Sequence, residues 1–415
     1  MSSATETLCG QAFGARQYHM MGIYLQRSWI INFATATILL PVFIFSTSIF
    51  KLLGEEDEVA EVAGYISLWF IPILYYFPLA FSIQKYLQTQ LRNRIVGWLS
   101  AVTFVLHVLL SWIFVSKLNL GIPGAMSAMI ISYWLVLIGE FVYVFGGWCP
   151  NTWTGFKLAA FKDLLPVLKL SISSGVMLCL EFWYNAVLIL LAGYVKNATV
   201  AISAFSICLN IIAWEFMVFL GFLTAARYGS YYPLLLLDGC VRVSNELGKG
   251  DAKAAEFSVK VISSTSVSLG VFFWILCLIF GRKLAYLFTS DVEVIEYVSD
   301  LYILLSLSIL LNCVQAVLSG VAVGAGRQGV VAYVNIGCYY LIGVPIGAIL
   351  GYVANLEVKG LWIGMIIGVL MQSLVLGYIT FRTDWNEQVK RASERLNKLF
   401  LKPVEGSSVE EPLNG

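Results

Sequence analysis

Charge is what this chain has least of. Asp, Glu, Lys and Arg make up 12% of its 415 residues, about half of the roughly 25% usual in soluble domains. The formal net charge is +1, so no polyanion-binding surface is implied and nucleic acid is not an expected partner. Histidine occurs twice, as His19 and His107, too few for a histidine metal cluster. Of the eight cysteines, Cys9, Cys179, Cys208, Cys277, Cys313 and Cys338 sit singly in apolar segments. Their spacings match neither a disulfide framework nor a zinc site, and no metal site is expected. No Walker or G-x-G-x-x-G motif occurs, and no Ser–His–Asp set can be assembled. ATP-driven work by this chain alone is unsupported, and the sequence does not read as an enzyme.

Apolar side chains are there in excess. They make up 59% of the chain, and the mean hydropathy is +0.82. A water-soluble protein of this size cannot hide that much apolar surface, so this is an integral membrane protein. Runs of about 20 apolar residues cross the hydrocarbon core as helices. Ten qualify: 24–50, 62–84, 95–115, 121–146, 165–195, 198–226, 256–281, 296–324, 330–353 and 360–381. They are continuous rather than alternating, which excludes a β-barrel. Twenty of the 26 Lys and Arg fall on one side of the bilayer when the loops are assigned in turn. Both termini are therefore expected in the cytoplasm. The acidic run Glu55-Glu56-Asp57-Glu58 falls on the opposite side. So does the sequon Asn197-Ala198-Thr199, which lies too close to a helix end to expect its use. The tail from Arg382 to Gly415 reads as a short amphipathic piece followed by disorder.

The two halves repeat. Phe13-Gly14 matches Leu247-Gly248, Leu52-Leu53 matches Leu287-Phe288, and the Gly121 turn matches the Gly360 turn, at offsets of 234, 235 and 239. Both copies keep the same orientation, so each holds an even number of spans, a parallel repeat of the kind seen in two-lobed transporters. The second copy has two spans before its Leu247-Gly248 anchor, whereas only 12 residues precede Phe13. The expectation is a six-plus-six design of which the first two helices are missing here.

Four segments, ETLCGQAFGA (6–15), LCLEFWYNAVLILLAGY (178–194), VRVSNELGKGD (241–251) and VLSGVAVGAGRQ (317–328), resemble plant MATE transporters, the multidrug and toxic compound extrusion or DETOXIFICATION family. The resemblance covers nearly the whole chain. It implies an all-α, polytopic, two-lobe fold and cation-coupled antiport of organic solutes, in plants usually driven by protons. It divides the chain into an incomplete N-lobe (1–146), a cytoplasmic linker (147–163), a C-lobe (164–381) and a tail (382–415). The segment RYGSYYPLLLLDGC (227–240) has no counterpart in the family pattern and reads as an insertion. The implied partners are a small organic solute, protons and the lipid bilayer, in a monomer of the vacuolar or plasma membrane. No cofactor is expected beyond the proton gradient. Two rivals stand beside this reading: a truncated variant that does not transport, and a lipid-linked precursor flippase, against which the near absence of Lys and Arg within the spans argues.

Ionisable groups inside spans are expensive and mark function by default. The candidates are Glu140, Glu181, Glu215 and His107. Glu181 is the foremost, near mid-span within Cys-Leu-Glu-Phe-Trp-Tyr-Asn, with Asn185 one turn on along the same face. A carboxyl there can take a proton from an acidic compartment and release it to the cytosol, and the resemblance places a proton site at this motif. Some family members carry a second acidic residue where this chain has Asn312. Asn312 and Gln315 cannot titrate but can hydrogen-bond Glu181 or a substrate. Glu215 is a lesser candidate, either lining the cleft to attract a cationic solute or, the favoured reading, serving a structural role. Trp183, Tyr184, Tyr339 and Tyr340 are aromatic candidates for stacking on a flat or cationic solute. Pro72, Pro78, Pro166 and Pro345 lie in or near spans, where proline kinks a helix.

Overall fold

The computed structural model describes residues 2–54, 56–195, 198–225 and 239–399. Glu55, the sequon asparagine, most of the 227–240 insertion and the end of the tail lie outside the described residues. Among those described, every regular element is helical. Nine helices are long and apolar enough to cross a membrane, or ten when one bent pair is counted as a single span. They coincide with the ten apolar runs of the sequence.

The chain separates into two compact units, Met1–Ser171 with Ser393–Gly415, and Ile172–Ala392. In the first, α1 (Ser2–Gly14) leads through a short turn into α2 (Tyr18–Ile44). A short α3 (Ser46–Leu52) and the pair α4 (Asp57–Trp69) and α5 (Ile71–Thr89) follow. The pair is the broken span, bent by 43° around Phe70. Pro72, at the start of α5, has no amide hydrogen to offer and disfavours helical backbone in the residue before it, so the helix restarts there. The unit continues with α6 (Asn93–Ser111) and α7 (Gly121–Tyr143). Its core gathers Leu8, Met20, Tyr24, Ile83 and Tyr86, all essentially inaccessible.

The second unit takes in most of α8 (Leu164–Ala192), then α9 (Ala198–Ala225), the short α10 (Gly239–Lys249), α11 (Ala252–Leu284) and α12 (Val292–Gly324). Next come α13 (Gln328–Asn335) and α14 (Val344–Ala348), joined and extended by π-helical turns into one span to Val353. Helix α15 (Glu357–Phe381) ends the spans, and the amphipathic α16 (Trp385–Leu399) follows. Aspartates start two of these helices: Asp251 accepts from the Ala254 amide at 2.9 Å and Asp291 from the Glu293 amide at 3.0 Å. In the core, Phe205 meets the face of Trp362 at 4.7 Å, and the Trp362 indole donates to Ser308 at 3.0 Å.

The parallel repeat is written into the backbone. Arg16 and Gly250, Leu91 and Gly326, Asn119 and Asn355, and Gly121 and Glu357 all take left-handed conformations. The members of each pair are 234, 235, 236 and 236 residues apart. Each pair marks the same turn in the two copies. L-residues rarely adopt this backbone, so four matched instances are not a coincidence of composition.

Helix α15 meets the span before it backbone to backbone. A Cβ on Gly364 would lie 2.3 Å from the Gly347 Cα, and one on Gly360 would lie 2.5 Å from the Gly351 nitrogen. Glycines four residues apart on both helices, at 343, 347 and 351 and at 360, 364 and 368, make this approach possible.

Candidate site around Glu181

Glu181 lies in the middle of α8, within the second unit. Its carboxyl is met from three other helices. From α12, the Gln315 amide donates to it at 2.9 Å and also to the Ser319 hydroxyl at 3.2 Å. Asn335 at the end of α13 and Gln372 on α15 stand beside the same carboxyl. These two amides are tied to each other, with Gln372 Nε2 donating to Asn335 Oδ1 at 2.6 Å. Asn335 in turn donates to the Met177 carbonyl at 3.4 Å, one turn before Glu181. The Tyr339 hydroxyl donates to the Gln372 carbonyl oxygen. Asn335 and Gln372 are completely buried. The carboxyl's hydrogen-bond partner Gln315 is therefore neutral, as are Asn335 and Gln372 beside it, and each is an amide that can either donate or accept. Such a shell suits both protonation states: amide N–H groups serve a carboxylate, and amide oxygens accept from a carboxylic acid.

Aromatic groups brace the network. Tyr184 stacks on Tyr339 with centroids 4.3 Å apart and rings nearly parallel. The Tyr340 hydroxyl donates to the Leu180 carbonyl at 2.8 Å, fixing α8 against the span that carries Asn335.

The residues expected at this site divide. Gln315 reaches Glu181, and Tyr184 packs beside its shell. Asn185 and Asn312 are half-buried and make no hydrogen bond among the described residues. Trp183 is 65% exposed. Glu215 on α9 forms a separate contact, accepting from the Cys313 thiol at 3.4 Å, while its second oxygen is buried without a partner. In the first unit, fully buried Glu140 accepts from the Gln84 amide at 2.9 Å, and His107 lies 3.2 Å from the Ser132 hydroxyl. Asn335, Gln372 and Ser319 were not anticipated. Asn335 and Gln372 stand in otherwise apolar runs, YVNIGCYYL and LMQSLVL, and that isolation was the available signal.

The sequence motifs outside the site act as braces. Helix α1 ties Thr5 to Ser28 at 2.6 Å, Glu6 to Lys85 at 2.9 Å and Gln11 to Arg395 at 2.9 Å. Its counterpart α10 holds Arg242, whose Nε donates to Ser258 at 2.6 Å. Burial pushes that guanidinium below its ordinary value, and Glu246 one turn on opposes the shift.

The MatE family model matches two stretches of the chain, residues 1–113 and 174–349. Protein DETOXIFICATION 24 of Arabidopsis thaliana is 52% identical over 403 residues, which is 97% of this chain and 78% of that protein. The chain belongs to the MATE family. It is a multi-pass membrane transporter of that family, and its relatives are transporters rather than enzymes. Protein DETOXIFICATION 20 of the same plant is 50% identical over 398 residues, 96% of this chain and 78% of its own. Among solved structures, the crystal structure of the eukaryotic MATE transporter AtDTX14 superposes with a TM-score of 0.84 at 32% identity, covering 95% of this chain and 86% of that one. The Vibrio cholerae MATE transporter VcmN in its bent form shares the fold, with a TM-score of 0.72 at 17% identity over 95% of this chain and 85% of that one. The two stretches matched by one MATE model begin in the two copies of the repeat.

Proposed function

We propose that this MATE transporter is a proton-coupled antiporter that exports organic solutes, such as secondary metabolites, xenobiotics and organic cations, by alternating access. Glu181 is the proton carrier. The observation that carries this reading is Glu181 deep in a span, hydrogen-bonded to the neutral Gln315 amide with the bonded amides Asn335 and Gln372 beside it and no cation paired to it among the described residues. A structural carboxylate in hydrocarbon is ordinarily paired with a cation. Here the partners accommodate either charge state, so a proton can arrive and leave without the site falling apart.

The shell also gives protonation something to move. As a carboxylate, Glu181 accepts from Gln315 and attracts the N–H groups of nearby Asn335 and Gln372, which draws α12, α13 and α15 toward α8. As an acid, it needs an acceptor, and the amide that turns its oxygen toward the proton withdraws its N–H. Re-pairing of these helices is the step that alternates access, with solute leaving as protons enter. Glu215 and Asn312 supply negative charge and hydrogen bonds for a cationic solute. The Lys and Arg distribution supports cytoplasmic termini, in the vacuolar or plasma membrane.

The test is flux. Vesicles holding the purified protein are loaded with a fluorescent organic cation, and a pH gradient is imposed. The wild type should move the dye against its gradient, and Glu181→Gln should leave only gradient-independent leak. Equal pH-driven flux in both proteins overturns the assignment.

A further inference from the structure

Two cavities of the second unit adjoin along α11 and α15. One is polar, about 410 Å³ in volume, and lined by α11 at 252–260, the end of α15 and the start of α16. The other is an apolar groove of about 370 Å³, lined from α11 at 263–267 and from α15 at 373–381. Phe381 lines both. Helix α11 begins at Ala252 and α15 ends at Phe381, and both are spans. The polar cavity therefore lies level with the membrane surface, and the groove leads from it into the hydrocarbon.

The groups left unsatisfied in the polar cavity are chiefly donors. Its two acids are already engaged. Glu256 is paired with Lys260 at 2.7 Å, and Asp384 Oδ1 accepts from the Asn386 and Glu387 amides at 2.9 and 3.4 Å. Lys253, exposed on α11, has no ion pair or hydrogen bond among the described residues. The Thr380 hydroxyl and the Trp385 indole N–H have no partner there either, although the two residues are only 6% and 8% exposed. Neither polar atom is sealed off. A threonine or tryptophan buried to that extent ordinarily has a hydrogen-bond partner. The amides of Ala252 and Lys253 add two donors at the positive end of a 33-residue helix, since Asp251 takes only that of Ala254.

We propose that this is a binding site for one phospholipid, with its phosphodiester in the polar cavity and an acyl chain along the apolar groove. A phosphodiester carries one negative charge, which Lys253 matches, and two unesterified oxygens for the indole, hydroxyl and amide donors. A free inorganic phosphate brings more negative charge toward Asp384 and leaves the groove empty. An acyl chain alone leaves the donors unpaired, and a cationic solute meets Lys253. From Glu256 to Val267 α11 rises about 16 Å, close to half the thickness of the hydrocarbon core, so headgroup and chain lie against one helix.

The site uses neither Glu181 nor protons, and its test stands apart from the antiport reading. The full chain in dodecyl maltoside, a detergent without phosphate, is photolysed with a phosphatidylglycerol carrying a diazirine on its acyl chain, and adducts are mapped by peptide mass spectrometry. Saturable labelling is expected at 263–267 and 373–381, displaced by unlabelled phosphatidylglycerol but not by diacylglycerol or inorganic phosphate. Lys253→Ala, at an exposed position where folding is not at stake, should raise the half-saturating concentration about tenfold. Trp385→Phe, which keeps a ring and loses the N–H, should raise it about threefold. Lys390→Ala, exposed on α16 outside the cavity, should leave it unchanged. Unsaturable labelling, displacement by diacylglycerol equal to that by phosphatidylglycerol, or a Lys253→Ala variant that labels like the wild type overturns the site. So does displacement by inorganic phosphate at matching concentration, which would make the polar cavity a site for a free anion.

Discussion

The Gln315 amide donates to the Glu181 carboxyl at 2.9 Å, joining α12 to α8 across 134 residues of sequence. The two side chains should therefore be energetically coupled. Gln315→Leu takes a donor from a buried carboxyl, whereas on a Glu181→Gln background there is less to lose. Thermal denaturation of the two single variants and the double variant in detergent should give a coupling of about 1–2 kcal/mol. Strict additivity would mean that the pair does not act as a unit.

Gly364 allows no side chain. An added methyl would sit 2.3 Å from the Gly347 Cα, and neither backbone can yield. Gly364→Ala should cost about 3 kcal/mol. Gly377→Ala, thirteen residues on in the same helix, meets only Leu318 Cδ1 at 3.8 Å and should leave the melting temperature nearly unchanged.

The matched turns at Arg16 and Gly250 predict opposite effects of opposite substitutions. Arg16 is exposed and holds φ +56°, and Gly250 holds φ +82° with nothing within 4 Å of its Cβ position. Arg16→Gly should stabilise by about 1 kcal/mol and Gly250→Ala should destabilise by about the same. Melting temperatures that move in the same direction for both would refute the account.

Lys85 reaches Glu6 at 2.9 Å, where the Glu6 side chain is 4% exposed and that of Lys85 is 29% exposed. Lys85→Met removes the lysine partner of a buried acid. The cost should be roughly 2–3 kcal/mol, below that of a fully buried pair because Lys85 is partly in solvent. Lys85→Arg should retain most of the stability. An unchanged melting temperature in Lys85→Met would show that the pair contributes nothing.

Much of the fold is legible in the sequence because lipid makes strict demands. Runs long enough to cross had to be helices, and the ten apolar runs and the observed helices coincide. The repeat was visible at Leu247-Gly248, and the left-handed turns at Arg16 and Gly250 are its backbone form; at Gly121 the sequence pairing with Gly360 was three residues off, since the backbone pairs Gly121 with Glu357. Pro72 signalled a kink, and the break falls two residues before it. The site was legible at Glu181, where a lone carboxyl interrupts an apolar run. Its shell was less so. Asn335 and Gln372 come from helices more than 150 residues away, and no periodicity within one helix reveals what packs against it. Adjacent positions on a helix also point about 100° apart. Trp183 and Tyr184 looked alike as candidates, yet one is exposed and the other is 2% exposed.

The glycine contact between α15 and the span before it fixes what can slide. Helices that meet through long side chains shear by exchanging rotamers, a small cost repeated many times. Two helices whose backbones touch at Gly347 and Gly364 have no such play, so they travel as a single stiff plank. Asn335 and Gln372 ride on that plank, at a constant spacing from each other. Under the proposed antiport, a stroke set off at Glu181 would be a displacement of α8 and α12 along its edge, with the plank serving as the rail.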